Sequence, residues 1–111
     1  MDIAFLKNCV LVTLKGRFDG SSVPELHGNL QGLTDARKYD IVVDMLQVSY
    51  MSSTAWRELI RTAKVCKRWG RGELKLVIEE SSPLDRVLDL VFVESPFQIY
   101  RTVEDAVKSF S

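Results

Sequence analysis

Short β-branched and apolar runs alternate along this chain with longer stretches of helical spacing, and that alternation limits the folds open to it. Cys9 to Lys15 (CVLVTLK) has strand character and ends at Gly16. Asp40 to Met45 (DIVVDM) is a short continuous apolar run, suited to a central strand buried on both faces. Glu73 to Ile78 (ELKLVI) and Phe97 to Tyr100 complete the set, and Ile3 to Leu6 reads as a preceding edge strand. Crossovers through helices make parallel pairs. The first two strands are joined through Lys7-Asn8 alone, too tightly for a parallel pair, so they form a hairpin. The reading is an α/β fold: a mixed sheet with an N-terminal hairpin, then βα units whose helices pack on the sheet.

The helices carry their own signals. Ser22 with Glu25 makes a capping box, with Pro24 in the first turn and Val23, Leu26, Leu30 and Leu33 at helical spacing. Gly28 and Gly32 weaken that helix, each by about 1 kcal/mol relative to Ala. GRFDGSS before it and Leu46 to Met51 later read as loops. Ser52, Ser53 and Thr54 offer N-cap hydroxyls to a long helix ending near Trp69, stopped by Gly70 and Gly72. Ser82, Pro83 and Asp85 open a helix through Val91; Thr102 and Asp105 cap a last one to about Phe110.

With 111 residues, 46% hydrophobic and 27% charged, the chain reads as one domain, residues 1–111, able to bury a core without disulfide or metal. Fifteen basic and fifteen acidic side chains balance. A general nucleic-acid binder or a polybasic membrane-surface protein would carry a basic surplus, so neither is the default. No signal peptide and no apolar run of about 20 residues is evident, which gives the expectation of a cytoplasmic protein without membrane insertion. Cys9 and Cys66 then read as reduced, buried thiols, and His27 as a histidine in a polar stretch without a partner motif. Neither a Cys/His enzyme nor a zinc site is supported, and no cofactor is expected.

The long helix is the most informative element. Trp56, Leu59, Ile60, Ala63 and Cys66 or Lys67 fall on one side, while Arg57, Arg61, Lys64 and Arg68 form a basic stripe on another. Such a stripe is either a solvated face or a dock for an acidic partner. It lacks the interleaved aromatics of a nucleic-acid surface. A phosphate on the hydroxyls at the helix N-terminus would be tolerated by the dipole and would add about −1.5 to −2 charge, enough to abolish a desolvated contact. Capping alone also explains Ser and Thr there. The overall neutrality hides two opposed patches: Arg57, Arg61, Lys64, Lys67 and Arg68 against Glu58 on this helix, and Glu79, Glu80, Asp85, Asp89 and Glu94 against Arg86 further on.

Four stretches carry a family resemblance: VTLKGRFDGSSVPEL (12–26), DIVVDMLQVSYMSSTAW (40–56), GELKLVIEESSPLDRVLDL (72–90) and FQIYRTVEDAV (97–107). In order and content they resemble the STAS domain, and within it the anti-sigma-factor antagonists of bacterial partner-switching pathways. The resemblance implies a protein that binds an anti-sigma factor, itself a serine/threonine kinase, and loses that binding when a hydroxyl at the start of the long helix is phosphorylated. It also implies a phosphatase of the PP2C type that restores binding. Thr54 falls at the usual phosphoacceptor, with Ser53 as the neighbouring hydroxyl. Ser52 stands where the family usually has Asp, Ala55 replaces Gly, and Trp56 replaces Leu. Asp19 matches the Asp of the first loop. The implied partner surface takes in Asp19, Ser21, Ser49, Met51, Ser52, Trp56, Arg57 and Arg61.

The departures at Ser52 and Ala55 keep open a second reading, an unphosphorylated STAS module in a scaffold or transporter assembly. An enzyme or a phospho-Asp receiver is the third. Asp44 at a strand end is compatible with a receiver, but neither the acidic pair after the first strand nor the late Lys is evident. No nucleophile–base pair or Gly-rich phosphate loop is present in the sequence.

Overall fold

The computed structural model describes residues 1–91 and 97–110. Its order is β1 (Asp2–Phe5), β2 (Val10–Phe18), α1 (Val23–Asp35), β3 (Ile41–Met51), α2 (Ser53–Lys67), a 3₁₀ turn (Arg68–Gly70), β4 (Leu74–Val77), α3 (Pro83–Val91), β5 (Gln98–Tyr100) and α4 (Val103–Lys108). The five strands lie side by side in chain order. β1 is antiparallel to β2, and β2, β3, β4 and β5 run parallel, so the hairpin and the mixed sheet are as expected.

Period-2 alternation sorts the strand residues between two cores. Val10, Val12, Leu14, Ile41, Val43, Met45, Leu74, Leu76 and Ile78 face α1, α2 and α3, where Leu26, Leu30, Leu59, Ala63, Leu84 and Leu88 meet them. Burying each such Leu stabilises the fold by about 1.5–3 kcal/mol. Cys9, Val42 and Val77 face the other way, against Ala106 and its neighbours on α4. Both cysteines are buried and unpaired. Cys66 is fully buried in the core under α2, and that burial pushes its thiol up to about 11.

Two strands run further than expected. β2 continues past Gly16 to Phe18, and β3 continues through the stretch 46–51 read above as a loop. Gly16 has φ +81 beside a register irregularity between the two strands, so the strand bulges there instead of ending. The extension pairs Lys15 with Gln47, Arg17 with Tyr50, and Phe18 with Met51.

The capping box at Ser22 does not form. Ser22 occupies the N-cap, but its side chain makes no cap bond; its hydroxyl donates to the Arg17 carbonyl at 3.0 Å. The extension of β2 brings that carbonyl within reach. His27, too, has a partner: Nδ1 lies 2.7 Å from Glu58 Oε2 on α2. Glu58 also accepts from Arg61 Nε at 3.2 Å, while Arg61 donates to Gln31 of α1 at 2.9 Å. Burial pushes the Glu58 carboxyl up, but the bonds from His27 and Arg61 outweigh it and hold the carboxyl below its ordinary value. The α1–α2 clamp therefore stabilises above the ordinary carboxylate range and weakens as acid protonates Glu58.

Among the described residues Lys75 is the one buried cation, 6% exposed on β4. Its Nζ donates to Ser109 Oγ at 2.6 Å and lies 4.0 Å from the Phe110 ring centre and 5.5 Å from that of Tyr100. No carboxylate pairs with it among the described residues. A charge held by a hydroxyl and ring faces recovers only part of its lost hydration. Lys75→Met is therefore expected to leave the urea unfolding midpoint unchanged or raise it, and a loss above about 1 kcal/mol would show that the ammonium is a net stabiliser.

Candidate functional site

At the C-terminal end of the parallel strands, β2 and β3 finish together. Phe18 and Met51 are paired and both buried, and Ser52 N donates to the Phe18 carbonyl at 2.8 Å. The loop starting at Asp19 and the start of α2 therefore leave the sheet side by side.

Each is held by its own hydrogen bonds. Asp19 Oδ1 accepts from Ser21 N at 3.0 Å and from Ser21 Oγ at 2.7 Å. Its backbone carbonyl accepts from Ser22 N and Val23 N, leading the chain into α1. The bonds from Ser21, side chain first and backbone second, hold the Asp19 carboxyl below the usual carboxylate range. On the other side Ser52 is the N-cap of α2, with extended backbone (φ −71, ψ 163) and Oγ accepting from Ala55 N at 3.2 Å. The Ser52 hydroxyl is thus occupied, while Ser53 and Thr54 are exposed in the first turn, which contains no acidic side chain. Phosphate there would meet the positive end of a fifteen-residue helix and no carboxylate of that turn. Ser52→Ala should cost about 1 kcal/mol of stability, read as a lower unfolding midpoint; an unchanged midpoint would show that the cap is replaced by water.

The remaining residues implied by the resemblance divide into surface and support. Ser49 and Arg57 are exposed. Ser49 lines a small cavity of about 150 Å³ with Val48, Ser82 and Leu84. Met51 and Trp56 are each only 6% exposed. The Trp56 ring packs against Phe97 at 6.3 Å between centres and 43° between planes, so it supports the surface from beneath. Arg61 is half-buried and committed to Glu58 and Gln31. Of the basic stripe, Arg57, Lys64 and Arg68 remain exposed. In the acidic patch Glu79 and Glu80 are exposed and Asp85 pairs with Arg101 at 2.9 Å; Glu94 lies outside the described residues.

Two further residues belong to this surface. Arg17 and Tyr50 sit opposite each other at the strand ends, the guanidinium 4.5 Å from the ring centre, and Tyr50 is 43% exposed. No local sequence signal marks them, because residues 46–51 carry no apolar period; the pairing of β2 with β3 brings the two together. Asp44 lies within β3 and accepts from Leu46 N at 3.0 Å, so it is not at a strand end. Among the described residues no cluster could hold a metal ion, and no helix is long and apolar enough to cross a membrane.

The family model of the STAS domain matches residues 1–106. The chain belongs to the STAS domain family. Solved structures agree in fold. An anti-sigma factor antagonist from Mycobacterium paratuberculosis superposes with a TM-score of 0.83 at 18% identity, over 97% of this chain and 90% of that one. A STAS domain protein from Planctomyces limnophilus, an anti-sigma-factor antagonist, gives 0.80 at 15% identity, over 99% and 96%. The Bacillus cell fate determinant SpoIIAA in its phosphorylated form gives 0.72 at 13% identity, over 99% and 98%. This STAS domain therefore has the SpoIIAA-like architecture, with the paired loop and helix N-terminus at one end of its sheet.

Proposed function

We propose that this STAS domain is an anti-sigma-factor antagonist, a cytoplasmic interaction module and not an enzyme. In this reading it binds an anti-sigma serine/threonine kinase through the Asp19 loop, Ser49, Ser52 and Arg57, with Met51, Trp56 and Arg61 supporting that surface. Phosphorylation of Thr54, or of Ser53 beside it, ends the contact, and a phosphatase of the PP2C type restores it. The observation that carries the reading is the exposure of Ser53 and Thr54 next to the Asp19 loop, with Ser52 alone consumed by capping. Interface centres are desolvated, and a dianion placed there is costly to bury. Titration of the unmodified protein with an anti-sigma kinase in ADP is the direct test. The expected result is a stable complex that weakens on Arg57→Glu; absence of a complex with the kinases of its own cell overturns the proposal.

The second reading, an unphosphorylated module in a scaffold or transporter assembly, is favoured by one feature. Ser52 and Ala55 remove the Asp and Gly of the family hallmark, and no acidic side chain stands in the first turn of α2. Co-purification unaffected by Thr54→Glu would support it.

A further inference from the structure

The end of the sheet opposite the Asp19 loop carries a different surface. The registers Val10 with Ile41 and Ile41 with Leu74 align the starts of β2, β3 and β4. The three connections that precede them therefore crowd together: the hairpin turn at 6–9, residues 37–40, and residues 68–73. Each presents cations, Lys7 on the first, Arg37 and Lys38 on the second, Arg68 on the third, all exposed. Arg71 ties the third to the second, donating to the Tyr39 hydroxyl at 2.9 Å with its guanidinium 4.1 Å from the Tyr39 ring centre.

Large apolar side chains stand among these cations. Trp69 is 85% exposed, Phe5 66% and Leu6 41%. Trp69 has φ +58, ψ 25, a left-handed conformation rare for so bulky a residue, and its indole lies 5.7 Å from the Arg68 guanidinium and 5.3 Å from that of Arg71. An indole ringed by cations and left in water covers nothing in the fold. Of the carboxylates nearby, Asp40 and Glu73 are half-buried and Asp35 is exposed, accepting from Gln31 at 2.8 Å; against them stand the exposed Lys7, Arg37, Lys38 and Arg68, so this end keeps a positive surplus at its surface.

We infer that this end of the molecule docks on an anionic lipid bilayer, with Trp69, Phe5 and Leu6 entering the interfacial layer and Lys7, Arg37, Lys38 and Arg68 meeting the lipid phosphates. Charge complementarity carries the choice of occupant. Aromatic and aliphatic tips interleaved with Lys and Arg match an interface whose outer layer is anionic and whose inner layer is apolar. The apolar tips belong to two separate turns, and the cations around them to three. A single-stranded nucleic acid needs stacking platforms along one groove, and a protein partner needs a slot for the indole, whereas a bilayer surface asks for neither. The inference uses none of the residues of the proposed phosphoswitch and stands or falls apart from it.

The test is sedimentation with vesicles of phosphatidylcholine alone and of phosphatidylcholine mixed with phosphatidylglycerol, read together with tryptophan emission. The protein is expected to sediment with the anionic vesicles only, with a blue shift that reports Trp69, since Trp56 is already buried. About 0.5 M salt should release it by screening. Trp69→Ala should abolish the shift, and the double variant Arg37→Glu/Arg68→Glu should weaken partitioning by more than about tenfold; both alter exposed residues, and circular dichroism confirms their folding. No sedimentation with anionic vesicles, equal sedimentation with neutral ones, or partitioning unaltered in the double variant overturns the inference. So does capture by a single-stranded oligonucleotide or by polyglutamate while vesicles are ignored.

Discussion

Gly72→Ala is expected to lower the stability of this protein by about 3 kcal/mol or more, the upper range for forcing atoms into a packed site. A Cβ built on Gly72 falls 2.5 Å from the Tyr39 carbonyl oxygen, 2.6 Å from Asp40 Oδ1 and 2.7 Å from the Tyr39 carbonyl carbon. Two of these three atoms are backbone. The segment they belong to cannot retreat freely: the Asp40 carbonyl accepts from Val10 N at 2.9 Å, and Ile41 N donates to the Glu73 carbonyl at 3.0 Å, joining β2, β3 and β4 at their starts. Relief of the clash breaks that alignment. For a domain of this length the loss corresponds to a Tm lower by about 12 °C or more. Urea unfolding at unchanged slope checks it; a midpoint within error of the parent would show that the two connections separate at little cost.

Thr54→Glu is expected to reduce binding to the proposed partner, an anti-sigma kinase, by about a hundredfold, while Thr54→Ala and the parent bind alike within a few-fold. The side chain is exposed in the first turn of α2, so neither substitution disturbs the core. The difference between them is charge. A carboxylate at the helix N-terminus is favourable in the free protein, which keeps the variant folded, but covering it with a partner strips its water without supplying a counter-charge. A hundredfold is about 2.7 kcal/mol, within the range for an uncompensated charge in an interface. Calorimetric titration of the three proteins separates the outcomes, and equal affinity for all three would place Thr54 outside the contact.

Much of the fold was legible because its signals are local. DIVVDM announces a strand buried on both faces, and its Ile41, Val42 and Val43 are fully buried. Ser52 and Thr102 were readable as caps, and each accepts the bond expected of it. The failures come from long-range pairing. Residues 46–51 expose Leu46, Gln47, Ser49 and Tyr50, so no apolar period marks them; they are a strand because β2 runs alongside past the Gly16 bulge. The same extension diverts the Ser22 hydroxyl to the Arg17 carbonyl, away from the cap. His27 finds Glu58 thirty-one positions away, where no local pattern points.

The candidate site was legible in a different sense. Nothing in the spacing of residues joins Asp19 to Ser52; the resemblance to a family does, and the register of Phe18 with Met51 supplies the physical reason. Trp56 shows the two kinds of reading at odds. Its helical spacing with Leu59 and Ala63 puts it on the buried side, whereas its place in the hallmark puts it on the partner surface. Its 6% exposure and its contact with Phe97 follow the spacing.

The central claim is that Ser53 or Thr54 receives a phosphate that ends partner binding. The measurement that bears on it most directly is incubation of the protein with the anti-sigma kinase of its own cell and ATP, followed by mapping of the modified residue and a second titration with the kinase. A single phosphate on Thr54 or Ser53, with the complex lost, is the predicted result. A complex that persists in ATP with residues 52–54 unmodified would contradict it.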